Sequence, residues 1–169
     1  MAEAFNDLDL PGEKVARYAV VAEEIAAVLD GEPNLTARMA TITSMLANSF
    51  PHFFWTGFYV VDPDKPRELV VGPYQGSLGC LRIAFGRGVC GTAAATGQVQ
   101  LVANVHEYPG HIACDSRSMS EVVVPVFDSA GTLIAVFDVD AVELAAFDQS
   151  DAQALDQILK AAFSGSTIP

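Results

Sequence analysis

Three cysteines are the residues in this chain with the most chemical choice. Cys80 and Cys90 stand ten positions apart in "CLRIAFGRGVCG", around a glycine-punctuated turn, and Cys114 follows 24 residues later in "HIACDSRSMS". An odd number of thiols cannot all pair within one chain. Structural zinc draws its ligands from pairs two to four residues apart, a spacing no two of these cysteines show, so no metal is expected even with His52, His106 and His111 available. Inert burial suits Cys90, which is flanked by Val89 and Gly91 at a predicted helix start. Cys114, in a polar loop, and Cys80, after the polar run "PYQGSLG", are poorer places to hide a thiol. A cysteine hydrolase needs a histidine base, and His111 lies three residues before Cys114, where one helical turn joins them. Against that reading, Asp115 and the acidic balance raise a thiol's pKa, and two cysteines are left without a task. Redox chemistry employs all three: one thiolate attacks, a second resolves the product as a disulfide, and the third relays or stands spare.

The acids form a second cluster. Asp138 and Asp140 alternate with Val139 in "VFDVDA", so on a strand both carboxylates face the same way. If "DSAG" closes a hairpin near residues 129 and 130, paired positions sum to about 260 and Glu121 stands opposite residue 139, beside both aspartates. Crowded carboxylates drive at least one pKa upward unless a cation or a proton is shared. The patch is therefore either the solvated outer face of an edge hairpin or a pocket that holds an ammonium group and keeps one carboxyl protonated as a general acid. Trp55, the only tryptophan, and Tyr59 lie among Phe53, Phe54 and Phe58; most of these are core, and Trp55 or Tyr59 is the candidate to wall a pocket against an apolar or sulfur-bearing group. A thiol nucleophile, carboxylates and an aromatic wall together describe a site for a zwitterionic amino acid with an electrophilic, reducible sulfur.

The elements that must position these groups are legible in outline. With 169 residues, 51% of them hydrophobic, and a mean hydropathy of +0.31, the chain can bury a single substantial core. We expect an N-terminal extension over 1–12, one domain over 13–164 and a tail over 165–169. The periodicity predicts a helix from Glu13 to Asp30 with a stripe of Val15, Tyr18, Ala19, Ala22, Ile25, Ala26 and Leu29, then a second helix capped by Asn34 and carrying Leu35, Met39, Ile42, Met45 and Leu46. Strands follow at "FFWTGFYVVD", "RELVVGP" and "LRIAF", with "DPDKP" as the first turn. A short helix lies in "GVCGTAAATGQ", and "VQLVANV" reads as a strand. The segment 106–120 is loop, "EVVVPVF" and "TLIAVFDVD" make the clearest hairpin, and a last helix is capped by Asp148. The order implies an α+β fold, with a mostly antiparallel central sheet of about six strands flanked by helices.

The net charge of −12 and a pI near 4.4 repel phosphates, which argues against nucleic acid and anionic membranes. No stretch approaches the roughly 18 apolar residues of a membrane span. The N-terminus lacks a basic region followed by an apolar one, so a cytoplasmic setting with reduced thiols is expected.

The stretches "WTGFYVVD", "GPYQGSLGCLRIAFGRGVCGTAAATGQ", "HIACDSRSMSEVVVPV" and "GTLIAVFDVD", followed by "FDQSDAQALDQIL", closely resemble the free methionine-(R)-sulfoxide reductases, a family built on a single GAF domain. The similarity covers roughly residues 14–163. It implies a GAF fold, reduction of free L-methionine-(R)-sulfoxide to methionine, no bound cofactor, electrons returned by thioredoxin, and a homodimer. By that resemblance Cys114 is the attacking cysteine, Cys80 the principal resolving one and Cys90 a second resolving or auxiliary thiol, while Glu121, Asp138 and Asp140 match the acids that hold the ammonium and polarise the sulfoxide oxygen. Trp55 matches the aromatic beside the substrate methyl group. Ala141 stands where relatives commonly carry serine. The alternative implied by the same fold is a non-enzymatic module that binds a small ligand or senses redox state.

Overall fold

The computed structural model describes residues 10–112 and 114–164; most of the expected N-terminal extension and all of the tail lie outside the described residues. Among the described residues, four helices and six strands follow in the order α1 (Lys14–Val28), α2 (Leu35–Ser49), β1 (Trp55–Asp62), β2 (Lys65–Gln75), β3 (Arg82–Ala84), α3 (Gly88–Thr96), β4 (Gln100–Val102), a 3-10 turn at Val105–Glu107, β5 (Ser120–Phe127), β6 (Leu133–Ala141) and α4 (Gln149–Phe163). The strands form one sheet in the order β3-β2-β1-β6-β5-β4, and every pairing is antiparallel. This is the expected α+β architecture.

The starts of α1, α2 and α4 have a sequence cause. Glu13 accepts from the Val15 and Ala16 amides, and Asn34 accepts from Ala37 N. At α4, Asp148 and Asp151 form a reciprocal capping box. Asp151 also accepts from Tyr18 Oη at 2.9 Å and Lys14 Nζ at 2.8 Å, which fastens α1 to α4. Gly97, in the left-handed conformation at φ 65°, ends α3.

The sheet separates two apolar layers. Phe58, Phe137, Val122 and Val124 face α1, α2 and α4, whereas Trp55, Tyr59, Val123 and Val136 face α3. Strand alternation assigns the two sets, because neighbours in sequence point to opposite faces. Helix α3 lies close against the sheet edge: a Cβ at Gly91 would stand 2.4 Å from the Ala84 carbonyl oxygen, so only glycine fits there.

Several expectations need correcting. The buried face of α1 is Tyr18, Val21, Ile25 and then Leu29, while Val15, Ala19 and Ala26 are exposed. So many of its residues are small and apolar that the periodicity supports two faces, and the chain buries the one with the larger side chains. The first turn is only Pro63–Asp64, with Lys65 already paired to Asp62. The strand expected over "VQLVANV" stops at Val102. No helical turn joins His111 to Cys114 among the described residues.

Candidate active site

The β5–β6 register decides where the acids point. Glu121 pairs with Asp140 and Val123 with Asp138, so paired numbers sum to one more than expected. A bulge between Val126 and Phe127, with Ile134 falling between the two pairings, adds the extra residue. Partners directly opposite share a face, and a one-residue slip reverses it. Opposite Val139, Glu121 would have pointed into the helical layer; opposite Asp140, it joins both aspartates.

β1 completes the site from the other side, with Trp55 paired to Asp140 and Gly57 to Asp138. The acids therefore occupy the middle of the sheet and are not on an edge hairpin. Glu121 and Asp138 are only 6% and 5% exposed, and Asp140 is half-buried. Gly57 is required at this point because a Cβ there would meet Tyr74 Cβ at 2.2 Å. Trp55 stacks between Tyr59 and Tyr74, with ring centroids 5.5 and 5.1 Å away, and its indole N–H donates to the Ser77 carbonyl at 3.0 Å. Both aromatics singled out in the sequence line the pocket.

Cys80 and Cys114 are joined as a disulfide with Cα atoms 5.5 Å apart, within the usual range for such bridges. Cys114 is exposed and Cys80 half-buried. A three-cysteine zinc set is not assembled in this state. Cys90 is the remaining thiol, in the first turn of α3, 4% exposed, with Sγ 3.9 Å from Glu121 Oε1. Trp55, Tyr59, Cys90, Cys114 and the three acids line one pocket of about 40 Å³, and His111 borders it. That volume is enough for a few waters.

Electrostatics set the protonation of this cluster. Burial, then the charges of Asp138 and Asp140, push the Glu121 carboxyl well above the usual range, and burial followed by Asp140 does the same to Asp138. Burial moves Asp140 up to about 7, with a Ser118 hydrogen bond opposing the shift. A helix N-terminus ordinarily lowers a thiol pKa. At Cys90 burial and the facing acids win, and the thiol is pushed well up. Asp138 Oδ1 is buried with no hydrogen-bond partner among the described residues, an acceptor waiting for a donor. Cys90, Glu121 and Asp138 bring ligand atoms within 4.8 Å of one another; a cation of any kind, ammonium or metal, suits that charge. His111, the candidate base, is lowered by burial and by His106.

One feature escaped the sequence reading. Asp115, next to Cys114, accepts from Ser77 Oγ at 2.6 Å and from Arg117 Nε and Nη2 at 3.0 and 2.7 Å, and the Arg117 guanidinium lies 4.6 Å from the Phe54 ring centre. This network ties the Cys114 loop to the segment that carries Cys80. The Asp-x-Arg spacing in "CDSR" was its only local signal.

The GAF domain profile matches residues 32–162, which is most of the chain, and the chain belongs to the GAF domain family. Within that family it belongs with the free methionine-R-sulfoxide reductases. The enzyme of that name from Escherichia coli is 39% identical over 146 residues, covering 86% of both chains. GAF domain-containing protein A of Dictyostelium discoideum is 44% identical over 156 residues, covering 92% of this chain and 96% of that one. Among solved structures, free methionine-R-sulfoxide reductase from Neisseria meningitidis in complex with its substrate superposes with a TM-score of 0.87 at 42% identity, covering 93% of each chain.

Proposed function

We propose that this chain reduces the sulfoxide of free L-methionine, R at sulfur, to the thioether, using its own cysteines and no bound cofactor. The observation that carries the reading is Cys114, bridged to Cys80, in the wall of a pocket that also holds Trp55, Glu121, Asp138 and Asp140. The ammonium of an amino acid answers the charge of the acids and the unpartnered Asp138 oxygen. The indole of Trp55 offers a flat apolar surface to the S-methyl group.

In the reduced protein the Cys114 thiolate attacks the sulfoxide sulfur, while a protonated carboxyl, assigned here to Glu121, gives its proton to the oxygen. Methionine departs and Cys114 is left as a sulfenic acid. Cys80 then attacks that sulfur, forming the disulfide and releasing water. A dithiol protein of the thioredoxin type takes the chain back to two thiols. Cys90 is the auxiliary thiol; its burial and raised pKa support a slower part than that of Cys80.

We place this activity in the cytoplasm, where thioredoxin is held reduced. No helix among the described residues is long and apolar enough to cross a membrane. A homodimer is the proposed assembly; the small-residue groove of about 610 Å³ between α1 and α4, lined by Ala22, Ala26, Ala154 and Ala161, supports it.

NADPH oxidation coupled through thioredoxin reductase and thioredoxin tests the reaction. Turnover is expected with free L-methionine-(R)-sulfoxide and not with the S epimer. If neither epimer is turned over, the non-enzymatic ligand-binding or redox-sensing module is the better reading.

A further inference from the structure

Two large apolar side chains flank Cys80 in full view of solvent. Leu78 is 76% exposed and Leu81 69% exposed, the two most exposed large hydrophobics among the described residues. Single exposed leucines are ordinary. These two differ because their backbone is pinned in that attitude. Between them Gly79 is tucked inward, where a Cβ would stand 3.0 Å from both Trp55 Cζ2 and Tyr59 Oη. The Leu81 carbonyl is held by Val71 N at 3.0 Å, and the Ser77 carbonyl by the Trp55 indole. The leucines thus stand out from the loop on either side of half-buried Cys80.

Charge marks the same face. Segments 76–91 and 111–119, which carry the bridge, hold Arg82, Arg87 and Arg117 against the single acid Asp115, in a chain of net charge −12. Arg82 is satisfied by Asp62 and Glu68, and Arg117 by Asp115. Arg87 is exposed and makes no ion pair among the described residues. With the other two arginines paired, Arg87 is the cation of these segments left to meet an acidic group on a partner.

We propose that Leu78 and Leu81, with Arg87, which lines the same pocket as Leu78, form the docking surface for the protein that reduces the Cys80–Cys114 bond: a dithiol reductant with an apolar surface and an acidic group near its nucleophilic cysteine. This rests on the redox reading above. The partner's thiolate attacks one sulfur of the bridge and forms a mixed disulfide, and the displaced cysteine leaves as a thiolate and takes up a proton. The partner's second thiol then attacks the mixed disulfide, so the partner ends as a disulfide and this chain gains two electrons as two thiols.

Leu78 also borders the pocket, so the test is placed on Leu81. The rate at which reduced thioredoxin reduces the oxidised protein is followed through Trp55 fluorescence without any substrate, beside the same reaction with dithiothreitol. Leu81→Ser is expected to lower the second-order rate constant with thioredoxin about tenfold, as loss of an apolar anchor does, and Leu81→Glu to lower it further. The dithiothreitol rate should be unchanged in both. An unchanged thioredoxin rate overturns the proposal, as does an equal fall with both reductants. So does a shift in sedimentation with unaltered reductant kinetics, which would make this face a contact between copies of the chain. Because the assay contains no sulfoxide, failure of the catalytic reading appears separately, as absent turnover in wild-type protein supplied with dithiothreitol.

Discussion

Replacing Asp140 by asparagine should change how stability depends on pH, in a direction and amount that follow from the site. Asp140 moves from 3.8 to about 7 because burial penalises its anion. Three units at about 1.36 kcal/mol each come to about 4 kcal/mol of preference for the protonated form in the folded chain. The folded pKa lies above the unfolded one, so this contribution is complete below about pH 4 and is lost as pH rises toward 7. Between pH 5 and 7 the native state holds a proton that the unfolded chain has released, which corresponds to about 2.7 kcal/mol; partial solvent access to the carboxylate reduces this to about 1–2 kcal/mol. The asparagine variant has no such proton to lose. Asp140 also raises Glu121 and Asp138, so removing its charge lessens their dependence in the same direction. Urea unfolding of the oxidised protein, followed by the single tryptophan, should therefore show wild type losing about 1–2 kcal/mol more than Asp140→Asn between pH 5 and pH 7. Parallel pH profiles would refute the reasoning, because they would mean that the carboxylate is as well solvated in the fold as outside it.

The remaining predictions concern the reaction. Cys80→Ser should produce one equivalent of methionine per chain and then stall, with a sulfenic acid on Cys114 that dimedone captures; repeated turnover with thioredoxin would remove Cys80 from the main path. Glu121→Gln keeps the shape of a neutral carboxyl but has no proton to give, so kcat/KM should fall about 10²- to 10³-fold; a loss below tenfold, measured by methionine release, would pass the acid's role to an aspartate. His111→Ala should keep kcat within about threefold, since the thiol chemistry asks for no histidine base, and an inactive protein would revive the Cys–His reading.

What could be read from the sequence divides along local and non-local lines. The helix caps at Asn34 and Asp148, the strand alternation of "VFDVDA" and the turn at "DSAG" are written within a few residues of each other, and all are observed. The common face of Asp138 and Asp140 needed only period two. Glu121 required the register across the turn, and one bulged residue near Ile134 separates the inferred pairing from the real one. Nor could a hairpin argument reveal that the acids are buried. β6 is interior only because β1, some eighty residues earlier in the chain, lies along its other side. That same placement brings Trp55 beside Asp140. An acid cluster on an edge would ionise freely in water; set between β1 and β5 beneath α3, its carboxyls are all driven above their ordinary range, Asp140 to about 7. The burial that makes these carboxyls usable as acids is thus a property of the sheet order, which no stretch of the hairpin encodes by itself.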